Sequence, residues 1–336
     1  MRKRVQLKPV AEQVIVITGA SSGIGLVTAR LAASRGARVV LVSRDGADLA
    51  SVVAQIRAEG GQAEAVVADV ADFDALRSAA ERAVERFGAI DTWVNNAGVS
   101  IYGPIADVPL ADARRLFETN YWGVVHGSLA AVAQLRERGG ALINVGSVLS
   151  DTTMPLQGHY SASKHAVKGF TDALRLELEN DDVPISVTLI KPAAIDTPYP
   201  EHAQNHLGVE PKHQPPVYEP AIVAEAILTS AESPRRDVKV GGAAKMFTTM
   251  ETFAPRLADR FKLASSFSGQ RGDEPARNDD TLYSPRAGDG RERGEYPGHV
   301  RSMSTYTTAT LHPVATVLGA AALGLGVALM ARGRQE

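Results

Sequence analysis

The 336-residue chain has no cysteine, which excludes disulfides, thiolate metal ligands and cysteine nucleophiles. It also lacks a charge excess. Lys+Arg total 36 against 38 Asp+Glu, a formal net charge of -2, so the broad basic surface of a nucleic-acid binder is missing and no nucleic-acid partner is expected. Aromatics make up only 5%, leaving small aliphatic residues to build the core, as where helices pack closely on a sheet. No long apolar run follows the basic start Met1-Arg2-Lys3-Arg4. The first, residues 14–17, is closed by Thr18-Gly19, far short of the ~7–15 apolar residues of a secretory signal. With no such leader, the main domain is expected in the cytoplasm.

Hydrophobic residues make up 44% of the chain, enough for a large core and too many for a wholly disordered chain. Short apolar runs at 14–17, 39–42, 65–67, 92–94, 141–145, 186–190 and 238–240 read as seven strands. Their near-continuous apolar character implies a parallel sheet covered on both faces. Helix-length segments separate them, at 23–35, 45–59, 72–87, 110–138, 158–179 and 219–232. This alternation predicts an α/β, doubly wound Rossmann fold over residues 1–264, with ligands at the carboxyl ends of the strands.

Beyond it the composition changes. Residues 268–301 are rich in charge of both signs, glycine and proline, which predicts a flexible linker within residues 265–312. Residues 314–331 then run without a charge and are followed by Arg332 and Arg334. Eighteen helical residues span ~27 Å, close to a ~30 Å hydrocarbon core. The terminal segment 313–336 is therefore expected to be an apolar helix that anchors the chain to a membrane. A Gly/Ala-rich helix docked on a soluble oligomer is the alternative.

Between the first strand and first helix stands Thr18-Gly19-Ala20-Ser21-Ser22-Gly23-Ile24-Gly25. Small residues let the backbone approach a pyrophosphate, and the helix N-terminus offers it free N–H groups and a positive dipole end. Strand two ends in Ser43-Arg44 with no acid. An acid there would favour the ribose 2′-hydroxyl of NAD, whereas Arg44 suits the 2′-phosphate of NADP and Ser43 adds a hydroxyl.

Further motifs follow in order: Asp69-Val70, Asn95-Asn96-Ala97-Gly98, Asn120, Ser147, Tyr160-Ser161-Ala162-Ser163-Lys164, and Pro192-Ala193-Ala194-Ile195-Asp196-Thr197-Pro198. Together they resemble the short-chain dehydrogenase/reductase superfamily over roughly residues 10–265. The resemblance implies a cofactor site of Gly19, Ser21, Ser22, Gly23, Ile24, Gly25, Ser43, Arg44, Asp69, Val70, Asn95, Ala97, Gly98, Pro192, Ile195 and Thr197. Asp69-Val70 would contact adenine. It implies a catalytic set of Asn120, Ser147, Tyr160 and Lys164, a small-molecule carbonyl or alcohol substrate, and no metal cofactor. A homodimer or homotetramer through the helices at 110–138 and 158–179 is a further implication. Ala193 departs from the usual glycine, and its Cβ is expected to narrow the nicotinamide pocket or move the following loop.

Tyr160 and Lys164 are four apart on a helix and share a face. An ammonium and the positive oxidised nicotinamide favour a phenolate, bringing tyrosine below its ordinary value near 10 toward working pH. Tyr160 is then expected to exchange a proton with the substrate oxygen while Ser147 holds that oxygen. By resemblance Lys164 also binds the nicotinamide ribose, and Asn120 orders a water. A non-catalytic dinucleotide-binding regulator or scaffold on the same fold is the rival reading, but it has no use for these four residues together.

His202 and His206, beside Glu201, have the spacing of a metal pair, yet Pro198, Pro200, Pro211, Pro215 and Pro216 surround them. The segment 199–218 therefore reads better as a mobile substrate lid. His159, next to Tyr160, belongs either to the pocket or to the helix surface. The substrate itself (lipid, steroid, sugar or small ketone) is not encoded in these motifs.

Overall fold

The computed structural model describes residues 5–277, 280–286, 288–313 and 316. Its centre is a sheet of seven parallel strands: β1 (Val14–Thr18), β2 (Arg38–Ser43), β3 (Gln62–Val67), β4 (Thr92–Asn95), β5 (Gly140–Val145), β6 (Ile185–Pro192) and β7 (Asp237–Val240). Each contains one of the seven expected runs. The spatial order is β7-β6-β5-β4-β1-β2-β3, and Val16 aligns with Val40 on one side and Trp93 on the other. The order reverses direction between β1 and β4, which opens a crevice at their carboxyl ends.

Alternate residues face opposite sides of a strand, so the sheet feeds two cores. Ile15, Ile17, Val39 and Leu41 pack with Leu26 of α1 (Gly23–Ser34) and Leu49 of α2 (Gly46–Ala58). Val16, Val40, Val42 and Trp93 pack with Leu76 of α3 (Phe73–Phe87) on the other face. Asp45 starts α2 by accepting the Ala47 and Asp48 N–H groups, each at 2.9 Å, one of the stronger N-cap arrangements.

The expected helix over 110–138 is interrupted. α4 (Leu110–Phe117) and α5 (Gly123–Leu135) are joined by a π turn, Glu118–Trp122, that carries Asn120. Two contacts account for the extra residue in the turn. Asn120 is pinned to Val99, and Gly123 packs so closely on Val70 that a Cβ there would lie 2.6 Å from Val70 Cγ2. α6 (Gly158–Asn180) is unbroken, and α7 (Pro220–Glu232) lies against α1.

The expected flexible tether is not what the described residues show. α8 (Gly242–Phe253) and α9 (Pro255–Gly269) lead into Arg271–Pro275, which pairs antiparallel with Val209–Pro211. Val300–Arg301 pairs parallel with Val217–Tyr218, and α10 (Thr305–Leu311) packs near α7 and β7. The charges that suggested disorder are matched by partners on the main domain. Arg293 meets Asp196 at 2.8 Å and Glu219 at 3.4 Å, Arg277 meets Glu210 at 3.8 Å, and Leu282 is fully buried. No helix among the described residues is long and apolar enough to cross a membrane. The run 314–331, apart from Thr316, lies outside the described residues.

Candidate active site

The first wall of the crevice is the glycine-rich turn after β1. Gly19 has φ +64°, and a Cβ on it would lie 2.7 Å from Ala97 Cα; Gly23 has φ +53°. Only glycine accepts such a combination of backbone angle and contact without strain. The turn is fastened to the end of β4. Thr18 Oγ1 accepts the Asn96 and Ala97 N–H groups at 3.0 and 3.1 Å, and Asn96 Nδ2 donates to the Thr18 and Gly19 carbonyls at 3.0 and 3.1 Å.

Two cavities follow from this geometry. One, with about 1080 Å³ of empty space including its mouth, is bounded by Gly19, Ser21, Ser22, Gly23, Ile24, Ser43, Arg44, Asp69, Val70, Ala97, Gly98 and Thr197. The other, about 1120 Å³ on the same measure, is bounded by Ser147, Tyr160, Lys164, Pro192, Ala193 and Ile195. Ile24, Asn96, Gly98, Thr197 and Tyr199 border both. The joined space can take an elongated molecule with one end at Arg44 and the other at Tyr160. Backbone N–H groups of the α1 N-terminus stand between those ends, where a pyrophosphate would need them. The residues present therefore fit a nicotinamide dinucleotide.

Ser21 and Ser43 hydroxyls are 3.0 Å apart. Beside them, Asp69 is partly buried, which would raise its pKa, but the Ala71 N–H and the Arg115 guanidinium hold it below the ordinary carboxylate range. Arg44 does not stand free for a phosphate. Its guanidinium donates to the carbonyls of Thr281, Leu282 and Tyr283.

At the other end, α6 presents Tyr160 and Lys164, with Lys164 Nζ 5.7 Å from the Tyr160 ring centroid. Lys164 is 3% exposed, donates to the Val145 carbonyl at 3.0 Å, and is pushed down to about 8 by burial. Burial raises Tyr160 above its ordinary value, against the opposing hydrogen bonds from Tyr199 and Ser147. In the protein alone desolvation outweighs those bonds, and the charge of an oxidised nicotinamide, on which the expected lowering rests, is a separate contribution. Ser147 caps a short 3₁₀ turn, its Oγ accepting the Leu149 N–H at 3.1 Å. Its hydroxyl proton remains available toward Tyr160.

Three expected site residues stand behind the walls. Asn95 is buried between strands and helix, accepting from Trp93 Nε1 at 2.8 Å and donating to Asn144 Oδ1 at 2.9 Å. Gly25 lets the turn close, since a Cβ there would lie 2.0 Å from the Gly19 oxygen. The Asn120 amide accepts from the Val99 N–H at 2.8 Å and donates to its carbonyl at 2.9 Å and to Ser163 at 3.2 Å. The Asn120 side chain is thus occupied with holding α4–α5 to α6.

The motifs missed several residues of the second cavity. Tyr199 donates to Gln157 Oε1 at 3.1 Å, lies 2.7 Å from the Ser100 hydroxyl, and meets the Tyr160 ring edge-on at 5.4 Å. His213 stacks on Tyr199 and is pushed down to about 4 by burial, which keeps it neutral; its Nε2 is buried without a hydrogen-bond partner. Lys212, Gln214 and the Pro215–Pro216 pair complete that wall, so the expected lid does border the pocket. Ala193 borders it too, and its φ is not positive, so this position does not need glycine. His202 and His206 turn to different carboxylates, Asp289 and Asp112, rather than converging as a metal pair.

A family model described as short chain dehydrogenase matches residues 13–207. The uncharacterized oxidoreductase YxnA of Bacillus subtilis (strain 168) is 43% identical over 328 residues, covering 96% of this chain and 92% of that protein. Dehydrogenase/reductase SDR family member 7B of Bos taurus is 35% identical over 269 residues, 76% of this chain and 82% of its own length. Among solved structures, a short chain dehydrogenase/reductase from Burkholderia phymatum in complex with NAD superposes with a TM-score of 0.66. Identity is 26%, and the match covers 73% of this chain and 94% of that one.

Proposed function

Because the chain belongs to the short chain dehydrogenase family, and is thus an NAD(P)-dependent oxidoreductase acting on CH–OH or C=O groups, we propose NADP as its cofactor and Tyr160 as its acid and base. The observation that carries the reading is the meeting of the two cavities at Gly98 and Thr197. It brings a dinucleotide cradle against Tyr160, Lys164 and Ser147. Arg44 at the end of β2, with no acid beside it on the strand, supports NADP over NAD.

The cofactor supplies or accepts the hydride. Ser147 holds the carbonyl oxygen through its hydroxyl. Tyr160, kept protonated by burial, donates its proton to that oxygen in reduction and takes it back in oxidation. Lys164 would hold the ribose hydroxyls of the bound cofactor, and its ammonium stabilises the phenolate left by the transfer. Asn95 and Asn120 position these groups from behind. The test is NADPH oxidation, followed by absorbance loss, against a panel of ketones and aldehydes. Tyr160→Phe should bind NADPH as the parent does and lose ~10²–10⁴-fold in turnover. Near-parental turnover would overturn the role of Tyr160. NADPH binding with no turnover on any carbonyl or alcohol would favour the non-catalytic regulator.

A further inference from the structure

We propose that the dinucleotide groove has a second ligand, the chain's own residues 281–286 and 288–294, and that cofactor and segment compete for Arg44 and the Gly23 N–H. The inference rests on the groove being the cofactor site.

The two groups best suited to the cofactor's negative charges are both engaged by carbonyls of this segment. The Gly23 N–H, at the start of α1, donates to the Arg291 carbonyl at 2.8 Å. Arg44 donates to the carbonyls of Thr281, Leu282 and Tyr283, and Arg115 adds a bond to Leu282 at 3.1 Å. A pyrophosphate cannot take the first group, nor a 2′-phosphate the second, while these bonds stand.

The segment is fitted to its place. Leu282 is 0% exposed, in the apolar cluster that contains Val99, Leu116 and Tyr160. Thr281 N–H donates to the His202 carbonyl at 2.9 Å, and the Asp289 N–H donates to Asp48 Oδ2 at 3.1 Å. His202 pairs with Asp289, Arg291 with Glu201, and Arg293 with the buried Asp196. His202, Glu201 and Asp196 flank Tyr199 and Thr197, so the segment is tied to the lid region as well as to the cofactor end.

At the Gly23 N–H it offers a neutral carbonyl, whereas a phosphate there makes a charge-assisted bond about twice as strong; at Arg44 it offers carbonyl dipoles, whereas a phosphate adds a full opposite charge. Cofactor can therefore displace the segment. The apparent dissociation constant is the intrinsic one divided by the fraction of molecules with the segment released.

The absence of cysteine provides a direct test. A Cβ on Gly290 would lie 3.6 Å from Asp48 Cγ, the place a cysteine sulfur at position 48 would take, which brings the two side chains within reach of a disulfide. In the full chain, Asp48→Cys with Gly290→Cys introduces the only two thiols. Oxidation fixes the segment down and dithiothreitol frees it. NADPH and NADH affinities are read by fluorescence titration in both states, with thiol titration confirming closure. The oxidised form is expected to bind both nucleotides at least tenfold more weakly than the reduced form. A second variant, Arg293→Ala, removes the Asp196 and Glu219 pairs without touching the groove and should tighten both nucleotides several-fold; it decides alone if the disulfide does not close. Equal affinity in oxidised and reduced protein, or no tightening by Arg293→Ala, overturns competition and leaves the cofactor reading intact. Reduced and parental protein binding neither nucleotide overturns both.

Discussion

Replacing Lys164 by Met should make the protein more stable and less active. Lys164 is held at about 8 in the folded chain against 10.5 for an ordinary lysine, by burial. At neutral pH both folded and unfolded chains carry the ammonium, but the folded one carries it against desolvation. At about 1.4 kcal/mol per pH unit, that costs about 3 kcal/mol. Methionine has similar length and no charge. It forfeits the bond from the charged Nζ to the Val145 carbonyl, 3.0 Å long, worth about 2 kcal/mol. The net expectation is a gain of about 1 kcal/mol at pH 7, read by urea unfolding. The sign of the pH dependence is fixed as well. The folded pKa lies below the unfolded one, so the unfolded chain binds more protons between them and parental stability rises as pH climbs from about 8 toward 10.5. The advantage of Lys164→Met should therefore shrink over that window. A variant less stable than its parent at pH 7, or a gap that does not narrow on the alkaline side, would refute the reasoning. NADPH affinity and turnover should both fall, as the proposed role of the ammonium in ribose binding and in holding the phenolate requires.

Three further outcomes follow from the same geometry. Arg44→Ala should weaken NADPH far more than NADH in paired titrations, because release of the covering segment helps both nucleotides while only NADPH loses a phosphate contact; equal change would assign Arg44 a structural role. The kcat/KM for NADPH, which reports the free enzyme, should fall as pH rises through about 8, where Lys164 loses its charge; a flat profile to pH 10 would remove Lys164 from cofactor capture. The helices α5 and α6 leave Leu129 and Leu176 exposed at 47% and 66%, and the π turn before α5 leaves Trp122 exposed at 43%. Leu176→Arg should therefore shift the full chain toward monomer in sedimentation, and a parental monomer at micromolar concentration would count against a dimer through these helices.

Much of this molecule is readable from local pattern. Val14 to Ile17 are apolar without interruption because both faces of β1 are buried, so the run announces a central strand whatever its neighbours are. Gly19 and Gly23 are readable because their backbone angles exclude other residues. Tyr160 and Lys164 are readable because helix geometry fixes what a spacing of four means. Failures begin where a residue's role depends on its far partners. Asn95 and Asn96 are adjacent and chemically identical, but strand alternation points Asn95 into the polar network with Asn144 and leaves Asn96 to hold the glycine turn. Tyr199 and His213 look like parts of an irregular proline-rich loop until folding stacks them beside Tyr160.

The C-terminal segment shows the same limit in a stronger form. Composition predicts disorder by weighing hydrophobic content against charge, which treats every charge as a preference for water. That holds only when no partner is fixed in place. Here Arg293 finds Asp196, 97 residues away and 2% exposed, and a carboxylate so deeply placed needs a cation or hydrogen-bond donors. Leu282, one of few large apolar residues in its stretch, fills a space lined by Val99 and Leu116. The segment supplies partners that the main domain lacks, and the main domain supplies the order that the segment lacks. Its carbonyls then fall on the groups suited to phosphate for a simple reason. Arg44 and the α1 N-terminus present donors toward a shared cavity, and any chain passing over them brings carbonyl oxygens. A surface prepared for an anionic dinucleotide is thus also prepared for a peptide backbone, more weakly, and the charge difference between the two occupants sets which one yields.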